Sequence, residues 1–485
     1  MTPRSTQILV VGGGPGGATS ATLLARQGFK VTLMERETEG RYHIGESLLP
    51  SCLRILDLIG AREKVEKHGF QRKDGGYFDW GGQKWEVAFG NLARPLYGFQ
   101  VIRSEFDRLL LDHARSEGVE VLDGTAVTDL VVENGVPVAA NCIDRRGTSG
   151  RVEFSSLVDA SGRAGLMATR YLNNRRFHKA FMNVALWGYW RGARRLAVGP
   201  FGAIATCSIP SGWIWAIPLH DGTLSVGVVL HKSKFRTLRQ YFSLEEIYRD
   251  SIASNATVSN LVECGELQTQ LRTETDYSYT AEWSAGPGYY MVGDAACFLD
   301  PLLSTGVHLA TFSGLLAAAC IASTLRGEVS AGDAIDFYNT SYRRAFMRMM
   351  VVVGAFYQTH RGRDSHFSQA QTLTADDYDK EELGRAFLHI ISGVEDLKDA
   401  EDVHPHKLMG VLLQIYQEHY SFIQQKNNWV SMSADEINRG MTTSRFIGAV
   451  QEDFSLTPET AVNGLYVEAG EKLALRRTSG AASAA

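Results

Sequence analysis

Apolar and polar positions follow two different rhythms along this chain. Near the start, an apolar run at Gln7–Val11 enters the glycine-rich segment Gly12–Gly17, a helical stretch follows at Ala18–Gln27, and a second apolar run occupies Lys30–Glu35. That order predicts a βαβ unit. Helical spacing at Arg103–Glu117 and short strand-like runs near Val119–Val132 and Val152–Val158 carry the α/β texture on to Asp159–Gly162. From about Phe177 to Thr280 the rhythm becomes an alternation rich in aromatics, as in Ala185–Trp190, Trp213–Pro218 and Leu224–Val229. Alternation of this kind predicts a second, mostly antiparallel sheet. The run Tyr289–Val292 then returns to the first texture, and Val307–Leu325, full of small residues, reads as a buried helix. Beyond about Val329 helical spacing dominates, with Tyr338–Gln358, Tyr378–Ser392 and His406–Gln425 as candidate helices, and the small polar residues Thr478–Ala485 read as a disordered tail.

The glycine segment supplies the first candidate chemistry. Gly12, Gly14 and Gly17 form G-x-G-x-x-G between a strand and a helix, and the acidic Glu35 lies eighteen residues after Gly17. Glycine permits the tight turn and lets backbone N–H groups approach a pyrophosphate at the helix start, while a carboxylate at the end of the second strand suits ribose hydroxyls. The motif alone does not choose between FAD and NAD. It does make the first unit a Rossmann-type nucleotide-binding domain, discontinuous over residues 1–176 and 281–328. Residues 177–280 form the inserted β-sheet domain, residues 329–477 a C-terminal helical region and residues 478–485 the tail.

Composition narrows the partners. The chain has 485 residues, 44% of them hydrophobic, which is enough for sizeable cores, and a formal net charge of −5. No basic block alternates with aromatics, so nucleic acid is not an expected partner. Six cysteines are scattered without a metal-like spacing, so no metal site is expected, and free thiols in a reducing cytoplasm fit. The opening apolar run is too short for a signal peptide core. Leu309–Leu325 approaches the length of a membrane span, yet Thr311, Ser313, Gly314, Ser323 and Thr324 interrupt it, and a buried helix is the expectation.

A second constellation lies from Gly293 to Gly306. Asp294 follows a strand-like run and can bond a ribityl or ribose hydroxyl, and the turn Pro301–Gly306 places backbone N–H groups at a helix start, where partial positive charge gathers. Seen by itself, it reads as a tight turn with a helix cap. The order Phe298, Pro301, Ser304, Gly306 (F-x-x-P-x-x-S-x-G) resembles the signature of flavin-dependent halogenases, and Trp213, Trp215, Ile217 and Pro218 match their second motif, W-x-W-x-I-P. Arg103, Phe106 and Asp107 in R-x-x-F-D-x-x-L, Asp159–Gly162 and Asp294 in G-D-A-A resemble the FAD-binding pattern of the wider aromatic-hydroxylase-like flavoproteins. The match covers most of residues 7–360.

The resemblance implies an aromatic-hydroxylase-like FAD-binding fold and a set of roles. FAD, working as FADH2, would contact Gly12, Gly14, Gly17, Glu35, Ser47, Arg103, Asp294 and Gly306, with Gly45–Pro50 as a strap across the flavin. Chloride would sit on the Thr305 and Gly306 backbone, and Trp213 and Trp215 would wall off the organic substrate. Lys73, which its charged neighbours Arg72 and Asp74 would otherwise mark as a surface residue, lies where the family keeps its active lysine. A flavin C4a-hydroperoxide would convert halide to hypohalous acid, which reaches Lys73 and then the ring. Implied partners are a separate flavin reductase and a small aromatic substrate, free or carried on a protein. One position departs from the tryptophan-halogenating branch: its catalytic glutamate is replaced here by Leu303. That favours phenols and pyrroles, already electron-rich, over free tryptophan, and the chain looks closest to the branch that chlorinates carrier-bound phenols. An FAD-dependent aromatic monooxygenase and an isoprenoid double-bond reductase stay open as alternatives, as does a flavin-binding scaffold without turnover.

Overall fold

The computed structural model describes residues 4–38, 40, 42–89, 97–360, 458, 461–470 and 472–478. The candidate helices Tyr378–Ser392 and His406–Gln425, and all of the tail but its first residue, lie outside them.

The first strand, Ile8–Val11, is apolar at every position because it is buried on both faces, as expected at the centre of a parallel sheet. It pairs in parallel with Val31–Glu35 on one side and Ser156–Asp159 on the other. Six strands complete this sheet, in the order 285–286, 289–291, 156–159, 8–11, 31–35, 120–123. The helix after the glycine turn runs from Pro15 to Arg26, three residues earlier than the spacing of apolar positions indicates. Pro15 explains the early start, since its fixed φ suits a first helical turn and its missing N–H costs nothing there. The loop is therefore only three residues long, and Gly16 and Gly17 lie inside the helix.

The second sheet runs in the order 297–298, 272–281, 175–191, 223–231, 212–218, 204–209, 75–80, 83–88, with Glu266–Leu267 added beside Trp190–Arg191. It draws two strands, Gly75–Trp80 and Gln83–Ala88, from the earlier part of the chain. Three helices, Lys232–Leu238, Leu244–Ala253 and Ala256–Val262, interrupt the expected run of strands. The apolar faces of the second and third pack on this sheet through Ile247, Tyr248, Ile252 and Val258.

Gly306–Leu325 is the core helix on which the first domain closes, and it is buried nearly all round. Each fully buried leucine, isoleucine or phenylalanine of such a helix contributes about 1.5–3 kcal/mol. Among the described residues it is the one helix long and apolar enough to cross a membrane, but most of it is enclosed by protein. Ala331–His360 forms the long helix expected at Tyr338–Gln358. Where helix was expected further on, Leu465–Ala469 and Leu473–Arg477 instead form an antiparallel hairpin. The hairpin docks on the core helix, with the Leu475 N–H donating to Ser323 Oγ at 2.8 Å and Arg326 donating to the Leu473 carbonyl at 2.9 Å.

Candidate active site

One cavity of about 710 Å³ runs between the two sheets. It is lined by Gly12, Gly14, Gly17, Glu35, Ser47, Arg103, Trp213, Trp215, Asp294, Thr305 and Gly306. The two glycine-motif ends serve close packing: a Cβ at Gly12 would lie 2.2 Å from the Ala160 carbonyl oxygen, and one at Gly17 2.0 Å from that of Gly12. Gly14 differs, because a Cβ there would meet no protein atom within 4 Å. Its openness leaves backbone facing the cavity at the start of a helix, the arrangement that receives a pyrophosphate. Glu35 Oε2 accepts from the Gly13 N–H at 2.6 Å, which holds the carboxylate beside the turn.

Arg103 is buried and its guanidinium is committed within the protein. It makes a two-pronged contact with Asp107 at 2.8 and 2.9 Å and donates to the carbonyls of Ile44 and Gly45 at 3.1 and 3.3 Å. The arginine therefore anchors the strap. Glu46 and Ser47 stand ahead of a helix that starts only at Ser51. They are extended and pair with the strand Gly98–Gln100: the Leu48 N–H donates to the Phe99 carbonyl at 2.8 Å and the Val101 N–H to that of Glu46 at 2.7 Å. A Cβ at Gly98 would lie 2.4 Å from the Leu48 carbonyl oxygen, so only glycine lets the strap lie this close.

Lys73 is opposite Gly98 on the other side of that strand. Its side chain is only 2% exposed, and its amine donates to Ser47 Oγ at 2.7 Å and lies 5.5 Å from the Phe89 ring centre. Burial disfavours the ammonium and brings its pKa down to about 7. The lysine does not open on the large cavity. It faces a second one of about 50 Å³, lined also by Phe78, Val87, Thr206, Leu302, Leu303 and Met349. Ile204, Ser304 and Thr305 line both cavities, and Ser47 lines the large one while holding the amine that lines the small one.

The shared turn is built by interactions the local pattern does not announce. Asp300 accepts from the Leu302 N–H at 3.1 Å and from Asn183 Nδ2 at 2.7 Å, fixing the short 3₁₀ turn Pro301–Leu303. Ser304 then adopts the left-handed region with φ of 60°, uncommon for a residue with a side chain. The reversal delivers Thr305 to the wall at 1% exposure, its hydroxyl without a partner among the described residues. A twenty-residue helix begins at Gly306, and its first N–H groups have no partner within the helix. An orphaned hydroxyl beside a helix start suits a small anion.

The tryptophan wall is as alternation predicts, with Trp213 and Trp215 both buried against the large cavity and their rings 5.9 Å apart. Trp187, from the strand Arg175–Arg191 on the far side of Thr223–His231, adds a third indole 6.3 Å from Trp215, across Gly227. A polar chain missed in the sequence runs beside it. The Trp187 indole donates to the Tyr42 hydroxyl, which lies 2.8 Å from that of Tyr189, and Tyr189 donates to Glu46 Oε1 at 2.6 Å. Glu46 is 2% exposed, and burial raises its carboxyl to about 7.

These residues fit FAD: an open backbone cradle at a helix start, a carboxylate at the end of the second strand, an apolar indole wall and a second helix start at Gly306. Comparison with known proteins agrees. Residues 7–101 and 92–387 match the tryptophan halogenase family. A tryptophan 2-halogenase of Chondromyces crocatus is 44% identical over 494 residues, covering 98% of this chain and 94% of its own length. The flavin-dependent halogenase armH2 of Armillaria mellea is 39% identical over 422 residues, or 82% of this chain and 80% of the relative. The solved structure of the myxobacterial chondrochloren halogenase CndH, an FAD-dependent enzyme, superimposes with a TM-score of 0.72 at 30% identity, covering 92% of this chain and 97% of that one. Likeness of this extent shows that the chain belongs to the tryptophan halogenase family and is an FAD-dependent halogenase of aromatic rings, with halide as its inorganic substrate.

Proposed function

We propose that this halogenase chlorinates or brominates an electron-rich aromatic ring, a phenol in the first instance, free or tethered to a carrier protein, with Lys73 delivering the halogen. The observation that carries the reading is the position of the Lys73 amine, buried beside a small cavity that shares the wall residue Thr305 with the large one. FAD would be held by Gly12, Gly14 and Gly17 at its pyrophosphate, by Glu35 at the adenosine ribose and by Asp294 along the ribityl chain, with Ser47 and Gly306 near the flavin and Arg103 fixing the strap. When bound and reduced by a separate flavin reductase, FAD with O2 supplies the oxidising equivalent that makes halide electrophilic.

The residues divide the remaining work. Halide rests on the Thr305 and Gly306 N–H groups and the Thr305 hydroxyl, where the helix start offsets its charge. Trp213 and Trp215 keep the aromatic substrate out of the cofactor cavity, so only a small species passes to Lys73. A cavity of about 50 Å³ beside the amine takes such a species. The neutral amine either hydrogen-bonds hypohalous acid or displaces water from it to form a haloamine, and the ring takes the halogen and loses a proton. Ser47 orients the amine by accepting its N–H.

Leu303 lines the lysine cavity and offers no carboxylate. A phenol activates its own ring and does without one. A second reading follows from the 44% identical relative named a tryptophan 2-halogenase: the pyrrole ring of an indole is also electron-rich, so tryptophan halogenated there is compatible with Leu303. The test is mass spectrometry of products from reduced FAD, O2 and chloride with a panel of free and carrier-bound phenols, pyrroles and tryptophan. A monochlorinated phenol, absent with Lys73→Ala at unchanged FAD content, is expected. Chlorination of tryptophan alone selects the second reading, and a hydroxylated product without halogen overturns both.

A further inference from the structure

Away from both cavities, three side chains from separate segments converge at the surface. His68 ends the helix Arg62–His68, Glu105 lies in the first turn of the helix Arg103–Ser116, and His220 occupies the turn after the tryptophan-bearing strand Gly212–Pro218. His68 Nε2 lies 2.7 Å and His220 Nε2 3.1 Å from the same oxygen, Glu105 Oε2. The rings are held by Phe70, stacked on His68 at 4.2 Å and edge-on to His220 at 5.2 Å. All three candidate ligand atoms lie within 4.8 Å of one another. Among the described residues no other group of three such side chains does so.

We propose that this cluster binds a divalent transition-metal ion, with zinc the best match. Two imidazoles and a carboxylate are a zinc ligand set, whereas magnesium and calcium call for oxygen donors. Around a tetrahedral ion with bonds of about 2.0–2.2 Å, ligand atoms stand roughly 3.4 Å apart. The His68 and His220 nitrogens therefore need to withdraw from the shared oxygen by roughly 0.7 and 0.3 Å, and two N–H···O contacts give way to three coordinate bonds. The side chains of His68, Glu105 and His220 are 32%, 40% and 20% exposed, which gives an ion an entry path and leaves its fourth position to water. The His220 Nδ1 has no hydrogen-bond partner among the described residues, so its ring is not committed elsewhere through that atom.

The location gives the ion a structural role. His68 precedes the strand that carries Lys73, Glu105 follows Arg103 by two residues, and His220 follows the Trp213–Pro218 motif. One ion would staple the cofactor domain to the sheet that walls it.

The experiment uses the tag-free, FAD-loaded protein after chelator treatment, titrated calorimetrically with Zn²⁺ alone and followed in parallel by the visible bands of Co²⁺. A 1:1 isotherm, tetrahedral Co²⁺ bands, a higher Tm with Zn²⁺ and no heat with Mg²⁺ are expected. The double substitution His68→Gln, His220→Gln should weaken Zn²⁺ binding by more than about 100-fold, beyond the loss of an outer-shell partner, with FAD content and circular dichroism unchanged. If the double variant does not fold, Glu105→Gln takes its place and should abolish the Zn²⁺-dependent rise in Tm. No 1:1 binding to the wild-type protein, or undiminished binding or Tm rise in the variant, overturns the site.

Discussion

The Lys73 amine donates to the Ser47 hydroxyl at 2.7 Å, joining a residue of the small cavity to one on the wall of the large cavity. Each partner has a distinct expected loss. Lys73→Ala should lower halogenation by at least about 1,000-fold, the scale of removing a group that touches the reacting atoms, while FAD binding stays unchanged. Ser47→Ala leaves a buried amine without its acceptor, at a cost of about 1–3 kcal/mol, and should reduce product formation while the lysine is retained. Product yield per turnover of reduced FAD, measured beside FAD affinity, separates the two.

Burial sets the pH dependence of the amine. Its pKa falls from 10.5 to about 7, so the neutral, nucleophilic form accumulates as pH rises through about 7. Halogenation with chemically reduced FAD should climb across that point and level off above it. Lys73→Arg, which stays charged, should be inactive throughout. The stability effect has a definite sign. Below about 7 both folded and unfolded chains hold the proton, and between about 7 and 10.5 only the unfolded chain does, so stability rises with pH over that interval. Denaturation of Lys73→Met, with no titrating amine, should lack that rise.

Glu46 should act in the opposite sense. Its carboxyl is raised by burial from 4.5 to about 7, so across that interval the folded chain holds a proton the unfolded chain has lost. The stability this group contributes is complete below about 4.5 and is lost as pH rises through about 7. In Glu46→Gln the Tyr189 hydroxyl can still donate to an amide oxygen. Urea denaturation over this range should show a flatter pH profile for the variant than for the wild type, and equal slopes would refute the assignment.

Thr305→Val keeps the shape of the halide turn and deletes its orphaned hydroxyl. Loss of one hydrogen bond to a charged ligand, worth about 1.5–3 kcal/mol, should raise the chloride concentration for half-maximal rate by about tenfold or more. FAD affinity and substrate KM should hold. An unchanged chloride dependence would move the halide elsewhere.

Local sequence carried the glycine turn, the turn Pro301–Gly306 and the pair of buried indoles, because each is a short motif whose geometry is set within a few residues. The helix start at Pro15 was readable too, had proline been weighed against the apolar spacing. The environment of Lys73 was harder. Arg72 and Asp74 pair with each other outside, while Gln71 and Lys73 point inward, an alternation on a strand of three residues that its charged neighbours conceal. The chain from Trp187 through Tyr42 and Tyr189 to Glu46 spans 145, 147 and 143 positions and arises only once the second sheet packs on the strap. The C-terminal hairpin was missed because five-residue strands in a stretch of helical spacing carry too little pattern.

The strap also ties the lysine to the wall of the large cavity. The hydroxyl that aims the amine belongs to the loop spanning the cofactor chamber, and that loop lies flat only because residue 98 has no side chain. A bulkier residue at 98 would lift the loop and leave the buried amine without its acceptor.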